Sequence, residues 1–209
     1  MHRYKIIAAC YFFVHLSYAD DKIGAALPVY TESQLIRLFE TNSHLDKVGK
    51  KDSCQLLQDI EARAIRLALP AYQFLYADML AWGVCVEQNP EQGLYYMRLA
   101  AKQGLVAALE QLGRYYAQGI FVQQDKERAM PFLREAASLG NTKARVQFAE
   151  LLLQNFGSPL DYESAYHWLY QTVTANKSTQ QKITTLRKGL EMRMPEYAIE
   201  KAKKRQTYW

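Results

Sequence analysis

At 209 residues, 49% hydrophobic and 22% charged, the chain is long enough to bury a core and too apolar for wholesale disorder. Gly and Pro are sparse, at 10 and 6, and no alternating apolar pattern is sustained, which excludes a β-rich fold and predicts an all-α one. The formal charge of +5 is partly carried by the first residues and argues for no nucleic acid partner.

Arg3 and Lys5, the apolar run from Ile6 to Leu16 and the small residues of Ser17-Tyr18-Ala19 have the order of a secretory signal peptide, with cleavage expected between Ala19 and Asp20. The apolar run is too short to cross a bilayer, so no membrane span is expected after cleavage. Removing residues 1–19 leaves 24 Lys and Arg against 21 Asp and Glu, and two cysteines, Cys54 and Cys85. An even number in a chain bound for an oxidising compartment predicts a disulfide.

Residues 20–53 read as an N-terminal extension. Ala25-Ala26-Leu27-Pro28-Val29-Tyr30 is extended, Thr31-Glu32-Ser33-Gln34 is a capping box for a short helix through Thr41, and Lys47 to Asp52 is a charged linker. Residues 54–70 form a lone capping helix ended by Pro70. If it runs antiparallel to the helix after Pro70, Cys54 and Cys85 come level, because 16 and 15 residues separate them from the turn. A metal site at these thiols would need further ligands, and the sequence places none nearby.

From Tyr72 to about Thr179 the chain is in register with itself at an offset of 36 residues, without gaps. Tyr76, Leu112 and Phe148 align, as do Met97, Leu133 and Leu169. So do the small residues Ala77, Gly113 and Ala149, and Ala100, Ala136 and Thr172, which let helix backbones approach closely. Two further columns each read Gly, Gly, Asn (Gly83, Gly119, Asn155 and Gly104, Gly140, Asn176), the residues that tolerate the left-handed conformation closing a helix. Asn89, Asp125 and Asp161 are expected to cap the second helix of each unit, with Glu91, Glu127 and Glu163 in its first turn. Each unit is thus helix A (71–83 in the first), a loop, and helix B (90–103). Three units over 71–179 stack into a right-handed α-solenoid. Residues 180–209 supply C-terminal capping helices, with a second helix starting at Pro195, and the basic tail Lys201-Ala202-Lys203-Lys204-Arg205.

The segments ALEQLGRYYAQG (108–119), VQQDKERA (122–129) and FLREAASLGN (132–141) resemble a Sel1-like repeat, a relative of the tetratricopeptide repeat. Ala71–Leu105 is a looser copy. Ala144–Asn176 is a third, departing from the pattern at Asn155 and in the Phe156-Gly157-Ser158-Pro159 loop.

No catalytic constellation is apparent. Beyond the signal peptide the only histidines are His44 and His167, with no spacing to a nucleophile or a second ligand, and no phosphate-binding glycine loop, HExxH, CxxC or GxSxG occurs. Neither a catalytic role, a metal nor a cofactor is expected. Partner binding is left to the surface. Positions 75, 78 and 82 of helix A share one face, and their counterparts Gln111, Arg114 and Gln118, then Gln147, Glu150 and Gln154, form a polar ladder expected to line the concave side. The first unit departs from it with Leu75, Asp78 and Trp82, which mark either a partner site or a landing place for the chain's own residues 23–45.

Over residues 27–175 the chain also resembles a family of periplasmic components of the sodium-driven polar flagellar motor. The resemblance rests on PVYTE (28–32), DSCQL (52–56), DIEARA (59–64), LPAY (69–72), DML (78–80), GVCVE (83–87) and YHWLY (166–170). It implies a non-enzymatic periplasmic protein that forms a basal-body ring with a MotY-like motor ring protein and helps retain the sodium-type stator complex. The alternatives are a generic periplasmic Sel1-type adaptor or regulator and, third, a cell-wall-active enzyme.

Overall fold

The computed structural model describes residues 29–205. The expected signal peptide, its cleavage point at Ala19 and Asp20, and residues 25–28 of the extended stretch lie outside the described residues. Among the described residues all regular structure is helical: α1 (Glu32–Glu40), α2 (His44–Asp46), α3 (Leu57–Ile65), α4 (Pro70–Trp82), α5 (Pro90–Lys102), α6 (Val106–Gln118), α7 (Lys126–Ser138), α8 (Thr142–Leu153), α9 (Tyr162–Gln171), α10 (Lys177–Glu191) and α11 (Glu196–Lys204). The pairs α4/α5, α6/α7 and α8/α9 stack in sequence. Helix α3 packs on α4 at one end, and α10 and α11 pack on α8 and α9 at the other.

The helix ends follow from their residues. Asn89 and Asp125 accept from the backbone N–H three residues on, at 3.0 and 2.9 Å, satisfying donors that the first turn leaves without a partner. Gly83, Gly119 and Asn155 close the three A helices at φ values of +70°, +75° and +69°. Asn155 stands in this column because a short amide side chain tolerates the left-handed region better than other non-glycine residues.

Two expectations fail in the third unit, for one physical reason each. Asp161 does not cap α9, because Pro159 starts a 3-10 turn and Ser158 Oγ takes the Leu160 N–H. Its own backbone is already helical, and its carboxylate pairs with Arg134 instead. Asn176 does not close a helix in the left-handed conformation. Helix α9 has ended at Gln171, since Thr172 leaves in an extended conformation and its hydroxyl donates back to Trp168 O at 2.7 Å. Asn176 then opens α10, accepting from Thr179 N at 3.0 Å.

The small columns permit tight packing. A Cβ on Gly93 would lie 2.7 Å from the Ala77 carbonyl, and one on Gly113 would lie 2.6 Å from the Leu133 side chain. Tyr115, Phe148 and Tyr166 are the largest fully buried side chains of the stack. Burial also holds the Arg145 guanidinium below its ordinary pKa. It donates to Ala137 O, Trp168 O and Thr172 Oγ1, tying the ends of α7 and α9 to α8.

Residues 29–56 form a folded arm. The Thr31 capping box of α1 is made in both directions. The segment 47–52, expected as a charged linker, is a π turn with Val48 fully buried, followed by Asp52, which takes Lys47 at 2.5 Å and the Tyr30 hydroxyl. Tyr72 in turn donates to Tyr30 O. The helix expected from Cys54 is shorter than its sequence range: Ser53 and Cys54 have positive φ, so α3 starts only at Leu57, and Ala68 turns the chain out after Ile65. Pro70 opens α4 rather than ending α3, at a first-turn position where its missing N–H is no loss. The Cys54–Cys85 disulfide is formed, with Cα atoms 5.4 Å apart, and fastens the arm to the far end of α4.

Candidate functional site

The face formed by the A helices α4, α6 and α8 carries the residues expected to meet a partner, and the arm lies across part of it. Helix α4 is apolar nearly all round, with every residue from Ala71 to Ala81 buried. Phe39 of α1 meets Phe74 edge to face at 4.6 Å, and the His44 ring lies 5.7 Å from Phe74. The one charge inside α4, Asp78, is 2% exposed and faces His44 Nε2 across 2.7 Å.

This pair heads a chain of polar contacts through the first two units. Gln111 Nε2 donates to Asp78 Oδ1 at 2.6 Å and to the Tyr115 hydroxyl at 2.9 Å. Trp82 Nε1 donates to the same hydroxyl at 3.2 Å, and Arg114 donates to Gln111 Oε1 at 2.8 Å. Burial, with Asp78's charge nearby, lifts the Tyr115 phenol to about 12. Further along, Gln147 donates to Glu110 Oε1 at 2.8 Å, and Glu150 pairs with Lys182 of α10 at 2.6 Å.

The ladder is thus divided. Leu75 and Asp78 are nearly closed to solvent, and the described part of the 23–45 segment packs on their helix. Gln111 is buried in the network, while Gln118 is exposed and Arg114, Gln147 and Glu150 are half-buried. Trp82 remains 49% exposed, its ring held edge-on against Phe121 at 4.9 Å. Between arm and repeats lies a groove of about 930 Å³, lined among others by Ile36, Trp82, Val106, Glu110, Arg114 and Lys143. Lys143 of α8 reaches the Glu40 carbonyl at 3.4 Å, closing one side of it.

Neither described histidine is open to solvent. His44 is buried with Nδ1 unpartnered, so neither ring nitrogen is offered to a substrate. His167 is likewise buried, its Nδ1 2.8 Å from Ala202 O. Among the described residues no three His, Cys, Asp or Glu side chains are grouped to hold a metal ion. Nor is any helix among the described residues long and apolar enough to cross a membrane. The His44–Asp78 link escaped sequence reading. A lone carboxylate in an otherwise apolar helix is the signal that could have found it, since a buried charge requires a partner.

A family model for the Sel1 repeat matches residues 70–105, 106–141 and 150–175. The sodium-type polar flagellar protein MotX of Vibrio parahaemolyticus serotype O3:K6 is 61% identical over 196 residues, covering 94% of this chain and 92% of that protein. The chain belongs to the MotX family. Membership is not confined to the repeats, because that coverage takes in sequence outside the three Sel1 units as well. A crystal structure of a Sel1 repeat protein from Oxalobacter formigenes superposes with a TM-score of 0.55 at 24% identity, covering 62% of this chain and 97% of that one. It has the same fold as the repeats of this MotX-family chain.

Proposed function

We propose that this chain is a non-enzymatic periplasmic scaffold of the sodium-driven polar flagellar motor, part of a basal-body ring with a MotY-like protein, where it helps retain the sodium-type stator complex for torque generation. The observation that carries this reading is the 61% identity to a sodium-type polar flagellar protein across nearly the whole of both chains. The Cys54–Cys85 disulfide supports the periplasm, where such a bond persists. Burial of both described histidines supports a binding role over catalysis. The part of the A-helix face left open by the arm, with Trp82, Arg114, Gln118, Gln147 and Glu150, is the surface on which this reading seats a motor partner.

Deletion of the gene tests it. The expected phenotype is loss of sodium-driven swimming with the flagellar filament still assembled, and recovery of the protein with purified basal bodies only when the MotY-like partner is present. Normal swimming in the deletion strain overturns the proposal.

A further inference from the structure

The net charge of the folded chain is concentrated at one end. Residues 176–205 hold nine Lys and Arg against three Asp and Glu, whereas residues 29–175 hold 14 against 16. A solenoid's terminal helices need a polar outer face, but neutral side chains provide that equally well, so capping does not account for the excess. Part of it serves internal contacts: Arg193 donates to Leu152 O and Leu153 O, Arg187 stacks over Tyr170, and Lys182 pairs with Glu150.

Of the other six, Lys177 and Lys188 lie on α10, and Lys201, Lys203, Lys204 and Arg205 gather on α11 and at its end. Ala198 and Ala202 are buried on one side of this helix. Flanking that side, Tyr197, Lys201 and Lys204 follow at i, i+4 and i+7 and share one exposed face, and Arg205 comes next. Lys201, Lys204 and Arg205 line a shallow depression of about 630 Å³ whose one acid, Glu163, lies 2.9 Å from Lys201 Nζ. Tyr197, 75% exposed, stands one turn before Lys201 on α11, and Met192, 84% exposed, stands at the turn between α10 and α11.

We propose that this end of the molecule docks on an anionic phospholipid bilayer, with Lys201, Lys204 and Arg205 toward the headgroup phosphates and Tyr197 and Met192 in the interfacial layer. Lysines predominate, and a lysine is a mobile point charge that suits a diffuse anionic surface. An acidic protein site is better matched by the rigid fork of arginine. A phenolic ring beside the cations, at the level where headgroups meet acyl chains, is the arrangement that interfaces favour. Contact is peripheral and reversible, since only a few cations and two apolar side chains take part.

Co-sedimentation of the purified, oxidised protein with vesicles tests the proposal, using phosphatidylcholine alone and phosphatidylcholine mixed with phosphatidylglycerol. Binding is expected to the mixed vesicles only, and to weaken as salt is raised. The combined substitution Lys201→Ala, Lys204→Ala and Arg205→Ala lowers partitioning on the order of a hundredfold. Tyr197→Ala lowers it a few-fold with the melting temperature unchanged. Replacing the remote exposed cations Lys51, Arg66 and Lys102 by Ala changes it little, which separates the α11 face from net charge. Equal binding to neutral vesicles, no binding to mixed vesicles at low salt, or equal loss in the remote triple variant overturns the proposal. So does tighter, Tyr197-independent binding to immobilised polyglutamate, which assigns the face to an acidic protein. The vesicle measurement needs no motor component, so its failure is distinct from failure of the scaffold reading.

Discussion

His44 and Asp78 meet at 2.7 Å across 34 residues of sequence, both nearly closed to solvent, and fasten the N-terminal arm to the first repeat. Removing the imidazole leaves the Asp78 carboxylate buried with Gln111 as its remaining partner. His44→Ala is expected to cost about 3–5 kcal/mol, as for other buried pairs broken on one side. Asp78→Asn costs less, roughly 1–3 kcal/mol, because the amide still accepts from Gln111 and leaves no charge behind. Urea denaturation of both variants checks the order. Limited proteolysis should cut the His44→Ala protein within 29–50 before the repeats. An arm that stays protected in this variant would mean that its other contacts, Phe39–Phe74 and the Tyr72–Tyr30 bond among them, hold it without the imidazole.

The disulfide secures the other end of the same arm. Opening a 31-residue separation between Cys54 and Cys85 removes ~3–4 kcal/mol in the chain-entropy account. Cys54→Ser is therefore expected to lower the melting temperature, and reductant is expected to have no further effect on this variant. Non-reducing peptide mapping of the exported protein should recover a single peptide pair joined at these residues; free thiols there would exclude the clamp.

These two fasteners were unequally legible in the sequence. The repeat register, the glycine closures at 83 and 119 and the caps at Asn89 and Asp125 rest on local backbone requirements that recur every 36 residues, so each copy checks the others. The cysteine pair was readable from count and spacing. The arm's landing on α4 has no period, and Leu75 and Trp82 look alike in sequence although one is fully buried and the other is half exposed. Thr172 and Pro159 broke the pattern locally, through a back-bonded hydroxyl and a 3-10 turn, where a column of aligned residues carries no warning.

Stability should fall on both sides of neutrality. Burial, with Asp78 nearby, raises Tyr115 to about 12, and burial with the hydrogen bond to Glu191 raises Tyr166 to about 12. An unfolded tyrosine titrates near ~10, so their contribution is complete below that pH and is lost as pH rises toward the folded values. On the acid side, burial opposes ionisation of Asp52, but the bonds from Lys47 and Tyr30 outweigh it and the carboxyl stays below its ordinary value. Its contribution is present above pH about 4 and is lost as pH falls through the folded pKa. Urea midpoints across this range check both limbs. Tyr115→Phe should flatten the alkaline limb while lowering stability at neutral pH by about 1–3 kcal/mol, because Gln111 and Trp82 lose their shared acceptor.

Close approach of paired helices makes a sharper test of packing. At Gly93 an added Cβ would meet the Ala77 carbonyl at 2.7 Å and the Ala81 nitrogen at 3.0 Å, both backbone atoms of α4. At Gly113 the clash is with the Leu133 side chain, which can move. Each Gly→Ala change is expected to destabilise by about 1–3 kcal/mol, with Gly93→Ala the worse of the two. Thermal unfolding ranks them; the reverse order would mean that α5 slides on α4 more readily than Leu133 repacks.

Partner binding and folding are separable on the A-helix face. Trp82 is held in place by Phe121 and the Tyr115 hydroxyl, yet half of it is open to solvent. A pre-positioned indole of this kind has the character of a binding anchor, and Trp82→Ala should weaken capture of a motor partner by about 2 kcal/mol or more while the protein stays folded. Leu75→Ala acts differently. With no exposed surface, it leaves a cavity costing about 2–5 kcal/mol, and any loss of capture should track the unfolded fraction. Pull-down beside a urea titration of each variant distinguishes the two routes. Unchanged capture by folded Trp82→Ala would confine the indole to packing and move the search to Arg114, Gln147 and the rest of the open groove.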